Sequence, residues 1–173
     1  MHVLLGDAEV SFLLASDAGY GFLINLEDLY TKNKAGKAIL TLPPDAKILR
    51  PLPIAEPETE YYAVVTSAGY LSIVPVLELP RLPKGKGVKL LGIPAKSKKD
   101  KESVVALTLL NPEIDILTLY VGKRHLTLKE RDIEAYTMER SRRGQKLPRG
   151  FQKVDRIEVI HPEAEEELFN EEN

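Results

Sequence analysis

Residues 15–43 read ASDAGYGFLINLEDLYTKNKAGKAILTLP, and residues 65–94 read VTSAGYLSIVPVLELPRLPKGKGVKLLGIP. Ala18-Gly19-Tyr20 and Ala68-Gly69-Tyr70 stand 50 residues apart, and the closing pairs Leu42-Pro43 and Ile93-Pro94 stand 51 apart. A weaker third copy begins at Leu119-Tyr120-Val121-Gly122 and carries its own basic loop, Arg142-Arg143-Gly144-Gln145-Lys146. A period near 50 with several short strands per unit is the signature of a bladed β array rather than a helical solenoid.

The turn chemistry supports strands. Apolar runs at 12–15 and 22–24 flank Asp17-Ala18-Gly19, and runs at 62–66 and 70–74 flank Ser67-Ala68-Gly69. The third copy pairs 116–121 with 124–128 across Gly122-Lys123, and Ile114, Ile116, Thr118 and Tyr120 alternate onto one face. Glycine adopts the positive φ that such hairpin turns need. The basic loops are expected to lead into strands at 38–42 and 89–93, and the last strand is expected over 154–160. Twelve prolines and eleven glycines interrupt any long helix, leaving a short one around 131–136. Tyr20 and Tyr70, just past their turns, read as core or cross-strand packing residues.

The composition fits a single all-β domain over residues 1–160, with repeats near 9–50, 58–100 and 103–160. An acidic tail, 161–173, follows. An apolar content of 43% can fill a core. The absence of cysteine excludes disulfides and thiolate metal sites and suits a reducing compartment. No apolar run approaches the roughly 20 residues of a membrane span, and the N-terminus lacks a signal pattern. These features predict a cytoplasmic chain.

The distribution of charge is more informative than the total of −2, made by 24 basic and 26 acidic residues. The last fourteen residues hold Glu163, Glu165, Glu166, Glu167, Glu171 and Glu172 and no Lys or Arg. Without these six glutamates the balance is 24 basic against 20 acidic, a net +4. The composition of the tail predicts disorder and competition with a polyanion for the basic loops. Basic residues cluster at 81–101 and again at 140–153. This segregation is the electrostatic footprint of a polyanion binder. Within the loops, Lys32, Lys34, Gly36 and Lys37 correspond to Lys84, Lys86, Gly87 and Lys89. Glycine between cations lets the backbone approach a phosphate and offer its N–H groups. Neither loop has the spacing of a nucleotide-binding P-loop.

The runs Ala15-Ser16-Asp17-Ala18-Gly19-Tyr20-Gly21-Phe22, Lys84-Gly85-Lys86-Gly87-Val88-Lys89 and Val121-Gly122-Lys123-Arg124 resemble the C-terminal domain family of the DNA-cleaving chains of bacterial type IIA topoisomerases. The closing stretch from Arg142-Arg143-Gly144 through Arg149-Gly150 to residues 154–158 does the same. The topoisomerase IV (ParC) branch is the nearer one. Only Arg142-Arg143-Gly144 and Lys146 match the box Gln-Arg-Arg-Gly-Gly-Lys-Gly of the gyrase branch, with Ser141, Gln145 and Leu147 departing from it. The resemblance implies a β-pinwheel, a propeller-like array of four-stranded antiparallel blades whose outer rim binds and bends DNA. Family domains have five or six blades. Three copies here imply a partial array of three to four blades, from the C-terminal part of the domain.

The resemblance further implies a non-catalytic module of an ATP-dependent isomerase, serving decatenation, supercoil relaxation and chromosome segregation. The family's catalytic tyrosine sits in an Arg-Tyr-Thr context. Ala135-Tyr136-Thr137 lacks the arginine, and Tyr136 reads as a packing residue. His2, His125 and His161 are scattered, with no metal-ligand spacing, and no Gly-x-Ser-x-Gly elbow is present. No cofactor, metal or catalytic residue is expected in this stretch. The expected DNA contacts are Lys32, Lys34 and Lys37 in the first loop, and Lys84, Lys86 and Lys89 in the second. Lys123 and Arg124 join them from the third hairpin, and Arg142, Arg143, Lys146 and Arg149 from the closing loop. Arg142 and Arg143 both read as exposed loop residues. Double-stranded DNA is the expected partner. The remainder of the ParC chain is another, and in the holoenzyme topoisomerase IV's second, ATP-dependent chain is a third. The isolated domain is expected to be a monomer at the nucleoid. The alternative is a propeller-like interaction module whose basic loops meet an acidic protein.

Overall fold

The computed structural model describes residues 11–27, 39–94 and 102–162. Three antiparallel hairpins organise them: β1 (Ser11–Ala15) with β2 (Tyr20–Asn25), β4 (Tyr61–Thr66) with β5 (Tyr70–Pro75), and β8 (Ile116–Val121) with β9 (Arg124–Leu128). Each is extended on one side by a strand that follows it in sequence. β3 (Leu52–Ile54) pairs with β1, β7 (Val104–Leu110) with β4, and β11 (Arg156–Ile160) with β8. β7 packs beside both β3 and β11, so these three strands converge and define the inner side of the array.

The outer strands come from elsewhere. β6 (Val88–Lys89), in the second repeat, pairs with β2 of the first blade, and β10 (Gln145–Lys146), in the third, pairs with β5 of the second. The sheet orders are therefore β3-β1-β2-β6, β10-β5-β4-β7 and β11-β8-β9. A four-stranded blade is built from two successive repeats, so the sheets cross the repeat boundaries read from sequence. The third sheet has three strands among the described residues. The strand expected at 89–93 is only Val88–Lys89, because Leu90 and Leu91 leave the sheet to become fully buried. In the described part of 38–42, only an isolated bridge at Leu40 forms. The last strand begins at Arg156 rather than at 154.

Two crossovers carry the chain to the rim. After β5 a short 3-10 turn, Val76–Glu78, leads back to the first blade. After β9 the helix α1 (Glu130–Tyr136) does the same for the second, burying Ile133 and Tyr136. Tyr136 thus packs in the core, as the sequence implied. The two larger apolar clusters lie between blades rather than within them. Leu13, Ala15 and Leu23 of the first blade meet Tyr62, Val64 and Val74 of the second, while Ala63, Val65 and Ile73 meet Leu117 and Leu119 of the third. A sheet with apolar side chains on both faces needs a neighbour on each, which explains why β4 is buried along nearly its whole length.

Candidate nucleic-acid interface

The two borrowed strands carry the same five-residue unit. Lys86-Gly87-Val88-Lys89-Leu90 superimposes in role on Arg143-Gly144-Gln145-Lys146-Leu147. Lys89 pairs with Tyr20, and Lys146 with Tyr70. Leu90 and Leu147 are buried anchors whose N–H groups donate to the carbonyls of Gly19 and Gly69 at 2.7 and 2.8 Å. Gly87 and Gly144 have φ of +85° and +96°, and a Cβ at either would press on the neighbouring strand, on Gly21 O or on Leu71 O. Only glycine brings the rim strand so close at these two positions.

The cation before each glycine lies on the tyrosine ring. Lys86 Nζ is 4.6 Å from the Tyr20 centroid and Arg143 Cζ is 3.7 Å from that of Tyr70, with Lys146 Nζ at 5.8 Å from the same ring. Both tyrosines are half-buried and lie outside the apolar clusters, so of the expected core or cross-strand packing only the cross-strand pairing, with Lys89 and Lys146, is found. Their rings are platforms that orient cations, an arrangement worth about 0.5–1 kcal/mol at exposed sites. Tyr120 also lies under Arg156 Cζ at 3.7 Å, but it precedes its hairpin turn on β8, and its cation comes from β11 and is paired with Glu158 at 3.7 Å.

The basic loops are joined. Arg140 Nη1 donates to Lys89 O at 2.8 Å, and Gly92 N–H donates to Arg142 O at 2.8 Å. The chain then runs from Lys146 past Gly69 to Gly150, which lies beside the Arg124 guanidinium at the third hairpin. Lys84, Lys86, Lys89, Arg142, Lys146, Arg149, Arg124 and Lys123 are all exposed along this path or only partly covered. The structure therefore places the exposed described members of the expected set, Arg143 apart, along joined rim loops that form a basic strip. Lys32, Lys34 and Lys37 lie outside the described residues, as do the acidic residues from Glu163 onward.

Arg143 departs from its sequence reading. Its guanidinium forms a two-pronged pair with Glu102, at 2.7 Å to each oxygen, and the Glu102 side chain is 2% exposed. Arg81, counted in the basic cluster at 81–101, donates instead to Ser11 and Asn25. Sequence reasoning placed Arg140 in a basic cluster but missed its bond to Lys89 O, which joins the two loops. It also missed the ring platforms, although Tyr20 and Tyr70 stand at equivalent repeat positions.

The chain belongs to the DNA gyrase C-terminal domain family, a β-propeller family whose profile matches residues 11–55 and 60–111. Within it, the similarity runs to topoisomerase IV. The ParC protein of Pseudomonas aeruginosa DNA topoisomerase 4 is 47% identical over 160 residues, covering 92% of this chain and 21% of that protein. Its Haemophilus influenzae counterpart is 42% identical over 161 residues. The chain thus spans about a fifth of the length of these curated relatives. The structure of the Escherichia coli ParC C-terminal domain aligns with a TM-score of 0.83 at 39% identity, over 94% of this chain and 65% of that one. A DNA gyrase A C-terminal domain aligns with a TM-score of 0.66 at 16% identity, a likeness of fold.

Proposed function

We propose that this chain is a non-catalytic module that binds and bends duplex DNA on its basic rim. It presents one duplex segment for strand passage by a type IIA topoisomerase, in decatenation and supercoil relaxation. The observation that carries this reading is the repeated rim unit, a cation on a tyrosine ring, a positive-φ glycine and a second lysine, set twice along one strip. Such a surface offers its lysines to the phosphates of a duplex laid along it. Its contacts position a duplex without reading its bases. The names of the relatives support the same reading, with the chemistry residing in the remainder of the ParC chain and in the ATP-dependent chain that joins it in the holoenzyme. The setting is the bacterial nucleoid, and the isolated chain acts as a monomer.

A mobility-shift titration of the 173-residue chain with two unrelated duplexes, repeated over a range of salt, tests the reading. Each neutralised phosphate contributes a log–log slope of about −0.9, so a strip engaging five to seven phosphates gives a slope of roughly −4 to −6 on both sequences. Binding that ignores salt overturns the proposal. So does binding to an acidic polypeptide such as polyglutamate but not to duplex.

A further inference from the structure

The first two blades are built alike at the rim, with one difference. Ser16, just past β1 of the first blade, corresponds to Thr66, which ends β4 of the second. Asp17 N–H donates to Lys47 O at 2.9 Å, and Ser67 N–H donates to Ser103 O at 2.8 Å. Ser16 bridges Ile48, and Thr66 pairs with Val104. This register equates Lys47 with Ser103 and therefore Ala46 with Glu102. In the second blade Thr66 Oγ1 donates to the buried Glu102 carboxylate, which holds Arg143 over Tyr70. In the first blade Ala46 offers no carboxylate. Ser16 Oγ is buried with no hydrogen-bond partner among the described residues, and Lys86 over Tyr20 has no acidic partner among them.

We infer that Glu102 and Arg143 form a latch that the second blade has and the first lacks. Arg143 is a positioning residue that seats loop 141–147 on the rim, while Lys86, at the equivalent place in the first blade, meets phosphate itself. The argument is one of charge and fork geometry. A guanidinium whose forked donors are already used on a buried carboxylate has its charge neutralised and its best phosphate geometry occupied. A carboxylate this buried is costly unless paired, so the pair opens reluctantly in exchange for an exposed phosphate. What the latch supplies is order in the residues around it. Gly144 follows Arg143 directly, and Lys146 and Arg142 are then presented from a fixed backbone.

The inference rests on the DNA-binding reading, and one set of measurements separates the two. Wild type, Lys86→Ala, Arg143→Ala, Arg143→Lys and Glu102→Gln are titrated with duplex at several salt concentrations. Hydrogen exchange is followed at the amides of 145–147 in the same proteins. Lys86→Ala is expected to flatten the salt slope by about 0.9 with exchange at 145–147 unchanged. Arg143→Lys keeps the charge but loses the fork. It should behave like Arg143→Ala, with affinity lowered on the order of fivefold and faster exchange at 145–147. Glu102→Gln is expected to weaken binding and speed exchange despite adding one unit of positive charge. The latch is overturned if Arg143→Lys matches wild type. It is equally overturned if Glu102→Gln binds DNA more tightly, with a slope steeper by about 0.9 and unchanged exchange. If wild type shows no salt-dependent binding, the DNA reading fails, and the exchange data alone decide the latch.

Discussion

Tyr62 ties the second blade to the strand that the first blade borrows. Its hydroxyl donates to Leu90 O at 2.7 Å from a fully buried position. Tyr62→Phe should cost about 1 kcal/mol, measured by denaturant unfolding, since it leaves that carbonyl without its donor. Burial also pushes the Tyr62 phenol above its ordinary range. Above about pH 10 the unfolded chain sheds a proton that the folded chain keeps, so stability falls as pH rises. Tyr62→Phe removes this contribution, and the decline of stability with pH above about 10 should be shallower in the variant. An equal decline would show that the phenol is not held neutral by the fold. At the rim, the Arg142 side chain is 70% exposed and lies 4.0 Å from the Glu139 carboxylate. Arg142→Ala should weaken duplex binding while leaving stability within about 0.5 kcal/mol, as surface changes usually do. Thermal melting and a titration together check both halves. The two neighbouring arginines look interchangeable in the sequence and are not, because the partner that distinguishes them, Glu102, lies 41 residues away from Arg143.

The elements that decide the interface are the shortest in the fold. β6 and β10 have two residues each, too few for any hydrophobic alternation to reveal. They hold their places through a buried leucine, a backbone bond to the hairpin turn and a glycine that permits close approach. Gly87→Ala would drive a Cβ into Gly21 O from a positive-φ backbone. It should cost more than the roughly 1 kcal/mol of an ordinary glycine-to-alanine misfit and detach β6 from β2. Loss of exchange protection at Leu90, together with weaker DNA binding, is the expected result; retained protection would contradict the close approach. Lys84, Lys86 and Lys89 depend on the same element, and replacing all three with Ala should flatten the salt slope by roughly two to three units. The hairpins were legible from turn glycines and apolar runs. The match between residues 86–90 and 143–147 was harder to see because the crossovers differ in length. The 3-10 turn Val76–Glu78 serves one and the helix Glu130–Tyr136 the other, which breaks the 50-residue register between the second and third copies.

At the scale of the molecule, the cores lie between blades, so no blade keeps its apolar faces dry alone. Calorimetry of the chain should show a single cooperative transition. A separate transition for the first blade would contradict the shared cluster of Leu13, Leu23, Tyr62 and Val64. The charge balance also acts at this scale. The residues before the acidic stretch carry a net +4, against six glutamates beyond Pro162. Deleting residues 163–173 should raise duplex affinity at low salt and change it little at high salt, where screening shortens the reach of these charges. Unchanged low-salt affinity would remove any competition by the tail.

The sequence by itself determined the hairpins, the short helix, the bladed class and the stock of cations, because each rests on local signals. Turn glycines, apolar alternation and charge counts are all read within a few residues. Only the tertiary structure decided which repeat completes which blade, which tyrosines carry cations, and that Arg143 is held by Glu102 while Arg142 is free to meet solvent. These outcomes depend on distant pairings such as Arg143 with Glu102, 41 residues away, and Lys146 with Tyr70, on different repeats. A two-residue strand or a single buried carboxylate leaves no periodic trace from which such a pairing could be read.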